Sequence, residues 1–90
     1  MTSRTRMRKE ILAVQAEANA LLQGDPANDR LQFVVGELGR LAELVEFNWP
    51  FTEVEKGTVI VGVYAVREVE DSYPDLAVRL THIAYDLKHG

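Results

Sequence analysis

Three segments of this chain carry apolar residues at alternating steps of three and four, which is the spacing of one face of an α-helix. These residues are Met7, Ile11, Val14, Ala18 and Leu21 in the first segment, Leu31, Val34, Leu38, Leu41 and Val45 in the second, and Leu76, Leu80, Ile83 and Leu87 in the last. Each apolar face must be buried against another element, which restricts the chain to helices packed around one core. We predict an all-α fold, a compact single-domain bundle of four helices over residues 1–90.

Turn-forming residues predict the ends of the first two helices. Helix one is expected over about residues 3–23, with Gly24 in the position after its end. Asp25 and Pro26 offer an N-cap and a first-turn proline. Helix two is therefore expected to start near Pro26 and to end near residues 46–47.

Two capping boxes predict the starts of the other two helices. Thr52 and Glu55 have the required spacing before helix three. Ser72 and Asp75 have it before helix four, with Pro74 in the first turn of that helix.

Helix three contains a segment that propensity alone assigns to a strand. Residues 58–63 are rich in β-branched side chains. No other segment is predicted to be a strand, so a strand here would leave its backbone groups without partners. We predict a helix over residues 53–70 with Val59, Val63 and Val66 on one face. Because this segment is apolar nearly all round before Arg67, we expect it to be the most buried helix.

The charges separate a basic start from an acidic remainder. Residues 1–9 carry four basic and no acidic side chains, whereas residues 10–90 carry 14 acidic and six basic ones. An acidic body repels nucleic acid and suits a basic partner, and we interpret Arg4, Arg6 and Arg8 as a solvated helix start. A weak RNA-binding arm is the alternative. The chain has no cysteine and shows no signal-peptide or membrane-spanning pattern, so we expect a cytoplasmic protein.

No set of residues predicts catalysis. The chain has no cysteine, and its two serines lie near the start and at a predicted cap, so no nucleophile is paired with a base. His82, Asp86 and His89 share one face of the last helix, but no fourth metal ligand is indicated. We predict a binding protein and not an enzyme, with no metal and no cofactor.

Two surfaces have the composition of a protein-binding site. The first combines carboxylates and aromatic rings around the turn between helices three and four: Tyr64, Glu68, Glu70, Asp71, Tyr73 and Asp75. The second is the aromatic segment Phe47, Trp49 and Phe51, which is either a hydrophobic plug over the end of the bundle or an anchor for a partner. We expect Trp49 to lie next to the first surface.

The residue order between positions 31 and 87 resembles a family of small bacterial immunity proteins. The family pattern is Leu-Gly-x-x-Ala-Val-Lys-Glu, an acidic turn with Asp-Pro-Glu-Leu, and a closing helix with Ala-Tyr. The corresponding segments here are Val61-Gly62-Val63-Tyr64-Ala65-Val66-Arg67-Glu68, Asp75-Leu76 and Ala84-Tyr85. Leu31-Gln32-Phe33-Val34 is similar to a Leu-Gln-Tyr-Ile segment of the family's second helix. The aromatic segment at residues 47–52 departs from the pattern.

This family neutralises an NAD(P)-hydrolysing toxin that is delivered by type VI secretion. The resemblance implies a cytosolic helical protein that binds the catalytic domain of a cognate toxin and blocks its active site. A related immunity lineage is associated with toxins that pyrophosphorylate adenine nucleotides, and both toxin chemistries stay open. The alternative function is that of a small protein–protein interaction adaptor, able to form a homodimer, that is unrelated to toxins.

Overall fold

The computed structural model describes residues 2–89 and contains no strand in that range. Its elements are α1 (Arg4–Gly24), α2 (Asp29–Asn48), α3 (Glu53–Gly57), α4 (Val61–Tyr64), a π-helix (Ala65–Val69) and α5 (Pro74–His89). The predicted all-α bundle is confirmed. The predicted third helix is divided into α3, α4 and the π-helix.

The core lies where the helical spacing placed it. Every apolar residue that defined the faces of α1, α2 and α5 is buried except Leu21, which is half-buried. α1 and α2 run antiparallel, since Arg8 Nε contacts Glu46 Oε2 at 3.1 Å and Gln15 Nε2 donates to the Val35 carbonyl at 3.0 Å. All fully buried side chains between residues 2 and 89 are apolar.

The connection between α1 and α2 is longer than the sequence predicted. Gly24 is the last residue of α1 and does not adopt a left-handed conformation. The N-cap of α2 is Asn28, whose Oδ1 accepts from the backbone N–H of Leu31 at 3.1 Å. The predicted start near Pro26 is wrong because Asp25 forms a turn instead, its carbonyl accepting from the Asn28 N–H at 3.0 Å.

α3 begins as predicted and ends early. Thr52 Oγ1 accepts from the Glu55 N–H at 3.2 Å, and Glu55 Oε1 accepts from the Thr52 N–H at 2.9 Å, so the first capping box is confirmed. Thr58 Oγ1 then donates to the Glu55 carbonyl at 2.7 Å. A side chain that bonds the backbone in this way competes with the helical ladder, which accounts for the break after Gly57.

α4 and the π-helix form one continuous segment on the surface of the bundle. Val61, Ala65 and Val69 are buried, whereas Val63 and Val66 are 59% and 58% exposed. The predicted face through Val63 and Val66 is therefore wrong, as is the prediction that this segment is the most buried helix. A run that is apolar on all sides does not specify which side faces the core.

The approach of α4 to α5 depends on Gly62. A Cβ atom on Gly62 would lie 2.9 Å from the Cβ of Ala84. α5 starts at Pro74, which lies in the first turn as predicted, and the Tyr73 carbonyl accepts from the Ala77 N–H at 3.0 Å. Ser72 lies one position before this cap, so Tyr73 and not Ser72 is the N-cap residue. The predicted Ser72 capping box is therefore wrong.

Candidate functional site

The six residues predicted around the turn do not all face the same way in the structure. Tyr64 and Glu68 face α2 and contact residues of that helix. Glu70 lies on the other side of the segment, against α5. Asp71 and Asp75 are exposed at the turn, and Tyr73 is half-buried against the core. The predicted residues are therefore close in the chain but face two directions.

On the side that faces α2, Tyr64 and Glu68 contact two residues that the sequence analysis did not identify. The ring of Tyr64 lies 4.3 Å from the ring of Phe33, measured between centroids. Arg30 Nε donates to Glu68 Oε2 at 2.9 Å. Both α2 residues are exposed and lie outside the apolar face, so helical spacing alone marks them as solvated. The aromatic character of Phe33 on an exposed face was the available signal.

This packing changes the acidity of Tyr64. Burial raises the pKa of its phenol above the ordinary value of about 10 because the phenolate is the form that loses hydration. The carboxylate of Glu68 raises the pKa further, and the guanidinium of Arg30 lowers it. Tyr64 therefore stays protonated at neutral pH and can donate a hydrogen bond to a partner.

Three carboxylates at the turn form no ion pair within residues 2–89. Glu70, Asp71 and Asp75 are exposed, and none lies within 4.0 Å of a Lys, Arg or His nitrogen between residues 2 and 89. Asp75 occupies the first turn of α5, where the helix dipole favours negative charge. We call Glu70, Asp71 and Asp75 the acidic turn. Unlike Glu68, its carboxylates are available to a cationic partner.

An apolar depression adjoins the acidic turn. We call it the α5 groove; it has a volume of about 240 Å³ and is lined by Glu70, Pro74, Ala77, Val78, Thr81 and His82. Most of its wall is carbon, and Val78 is 56% exposed. The groove gives the acidic turn an apolar neighbour that the sequence reading did not identify.

The expectation that Trp49 lies next to this surface is wrong. Trp49 lines a cleft with Leu87 and His89, at the C-terminal end of α5. The 16-residue α5 is about 24 Å long, and Asp75 lies at its other end. Trp49 Nε1 donates to the Thr2 carbonyl at 2.7 Å, and its ring meets Phe51 edge to face at 5.5 Å.

The aromatic segment covers one end of the core. Phe51 is buried and Trp49 is half-buried, which is the arrangement expected of a hydrophobic plug. Phe47 differs, since it is 72% exposed. Of the three rings, only Phe47 has most of its surface free for another molecule.

The other candidate sites are simple surface features. In residues 2–89, no three His, Asp or Glu side chains are grouped to hold a metal ion, so His82, Asp86 and His89 do not form such a group. Arg4 and Arg6 are exposed at the start of α1. Among the described helices, none is both long and apolar enough to cross a membrane.

The fold and surface define a small helical domain whose charged groups surround an entirely apolar core. A family model described as Tsi6 matches residues 7–89. The chain belongs to this family of type VI secretion immunity proteins. This confirms the resemblance seen in the residues and extends the match to most of α1. Searches of curated proteins and of solved structures found no match.

Proposed function

We propose that this protein inhibits a cognate type VI toxin by binding its catalytic domain and blocking the active site. Membership of the immunity family supports a toxin as the partner. Inhibition is stoichiometric, without turnover and without a cofactor. The protein acts in the cytoplasm, because that compartment contains the nucleotides that such a toxin consumes.

The observation that carries the proposed mechanism is that the three carboxylates of the acidic turn form no ion pair within residues 2–89. Glu70, Asp71 and Asp75 have no ion-pair partner in residues 2–89, whereas Glu68 is paired with Arg30. A toxin pocket that binds a dinucleotide or nucleotide needs positive charge for the phosphates. Unpaired carboxylates are complementary to such a pocket and increase the rate of association with it.

Aromatic rings lie at the turn and on the side of this segment that faces α2. Tyr64 and Tyr73 are half-buried near the turn, and Phe33 packs on Tyr64. A flat ring beside a carboxylate can occupy the space that a base or nicotinamide ring and its phosphate fill in the substrate complex. We therefore propose Tyr64, Glu70, Asp71, Tyr73 and Asp75 as the partner-binding residues. Glu68, which the sequence also predicted, borders them but is already paired with Arg30. Trp49 lies outside this surface.

The experiment is a titration of toxin activity. The toxin is the one encoded by the gene that adjoins the gene for this protein. Its purified catalytic domain is assayed for NAD(P) hydrolysis and for nucleotide pyrophosphorylation while this protein is added. We expect activity to fall to background at one equivalent. A saturating, slowly converted substrate analogue should slow inhibition, since both molecules compete for one pocket.

Three outcomes would contradict the proposal. Full toxin activity in the presence of excess protein would contradict immunity by binding. Inhibition that substrate analogue does not slow would contradict occupation of the active site and place the contact elsewhere on the toxin. Turnover of NAD or ATP by the purified protein alone would show that it is an enzyme.

A further inference from the structure

We propose that the α5 groove receives an apolar side chain from a basic segment of the toxin, next to the cations that meet the acidic turn. This inference rests on the proposed function and adds the chemistry of the partner segment. That segment carries one Leu, Ile, Val or Met side chain with a Lys or Arg close to it in space.

The shape and lining of the groove define the apolar part of the partner. Its apolar lining residues are Pro74, Ala77 and Val78, and its volume of about 240 Å³ suits one or two aliphatic side chains. Val78 is 56% exposed in the unbound protein. Covering such a surface removes apolar area from water and stabilises the complex.

The charge at the rim defines the polar part. Glu70 lines the groove itself, and its carboxylate has no ion-pair partner among residues 2–89. Pro74, which also lines the groove, directly precedes Asp75, and Asp71 directly follows Glu70. An aliphatic side chain in the groove therefore brings its neighbours next to Glu70, and Asp71 and Asp75 are each one residue from the groove lining. Cations at those neighbouring positions are attracted, whereas carboxylates are repelled.

The same charges disfavour a second copy of this protein as the occupant. A symmetric dimer through the groove places the same patch of both copies in contact. The acidic turn of one copy would then approach that of the other, and each chain already carries a net charge of −4. Like charges at an interface oppose association, so the groove fits a cationic partner and not itself.

Exposed apolar residues continue beyond the groove on both helices. Val66 precedes Glu70 by four residues and is 58% exposed. Tyr85 follows His82 by three residues on α5 and is 63% exposed. Residues three and four apart on a helix share a face, so both extend the surface around the groove. The partner segment therefore has room to lie along α5 rather than touch it at one point.

The test compares two variants with one matched control in calorimetric titrations of the toxin catalytic domain. Val78→Asn removes the apolar wall, and Thr81→Trp fills the groove. Val54→Asn is the control, because Val54 is 80% exposed on α3 and lies outside the groove. All three changes conserve charge. Circular dichroism and thermal unfolding establish that each variant is folded as the wild type is.

We expect Val78→Asn to weaken binding about tenfold and Thr81→Trp by more, with Val54→Asn within about twofold of wild type. If wild-type protein binds the toxin and both groove variants bind equally well, the groove inference is overturned and the proposed function stands. If wild-type protein does not bind, the proposed function and this inference fail together. A wild-type homodimer that Val78→Asn dissociates would show that the groove binds a second copy, contrary to the inference.

Discussion

Gly62 approaches Ala84 so closely that a methyl group on Gly62 would lie 2.9 Å from the Ala84 Cβ. The Ala84 Cβ is fixed to its backbone and cannot turn aside, so Gly62→Ala must push α4 away from α5. We expect this change to lower the free energy of unfolding by about 1–3 kcal/mol, as overpacking does elsewhere. Urea denaturation measures the difference.

Gly36→Ala is the matched control for that change. Gly36 lies inside α2, and a Cβ there would meet no atom within 4 Å. Alanine is the better helix former by about 1 kcal/mol, so this variant should be more stable than wild type. Equal effects of the two substitutions would contradict the close approach of α4 to α5.

The hydrogen bond from Trp49 to the Thr2 carbonyl should stabilise the start of the chain. Its length is 2.7 Å, and it joins the residue after α2 to the residue before the N-cap of α1. Trp49→Phe keeps an aromatic ring beside Phe51 and removes the donor, with an expected loss of about 0.5–1.5 kcal/mol in unfolding free energy. Phe47→Leu, at a ring that is 72% exposed, should change stability by less than about 0.5 kcal/mol. Thermal unfolding of both variants checks this, and the reverse order of effects would contradict it.

Tyr64 should give stability a pH dependence in the alkaline range. Burial and the Glu68 carboxylate raise its pKa in the folded protein above the unfolded value of about 10. The folded state therefore favours the protonated phenol, and this contribution is complete below about pH 10 and is lost as pH rises through the folded pKa. The difference in unfolding free energy between wild type and Tyr64→Phe, measured from pH 8 to 11, should show this loss.

Substitutions of the two charged residues near Tyr64 test the direction in which each charge shifts the Tyr64 pKa. Glu68→Gln should lower the Tyr64 pKa, and Arg30→Gln should raise it, because the two charges act on the phenolate in opposite directions. Ultraviolet difference spectra against the same variants carrying Tyr64→Phe isolate this tyrosine. Shifts in the same direction for both variants would contradict the arrangement of Arg30, Glu68 and Tyr64.

The buried residues were predicted correctly where apolar residues recur at helical steps and the opposite side of the helix is polar. Leu31, Leu38 and Leu80 lie in the core because each belongs to a stripe with a polar opposite side. The segment after Thr58 lacks that contrast. Its buried side was therefore open, and packing against α5 buries Val61 in place of Val63.

The sequence predicted which residues form the candidate surface, but it predicted only part of their arrangement in space. The acidic and aromatic residues around the turn are adjacent in the chain, so short-range order places them together. Contacts between distant residues decide the rest: Glu68 meets Arg30 across 38 positions, and Trp49 meets Thr2 across 47. Because Arg30 is paired with Glu68, a charge reversal at Glu68 would also break this ion pair and place two cations side by side. Glu70 and Asp71 are the cleaner positions for a test.

We propose that the acidic turn is the surface that binds the toxin. Calorimetric titration of a variant with two reversed charges tests this most directly. Glu70→Lys/Asp71→Lys is compared with Glu10→Lys/Glu43→Lys, which changes the net charge equally at exposed residues of α1 and α2 that form no ion pair in residues 2–89. We predict that the first pair weakens binding by about 2 kcal/mol or more and reduces its salt dependence, while the control pair changes affinity by less than about 1 kcal/mol. Equal affinities for the two variants would contradict the account and move the binding surface away from the acidic turn.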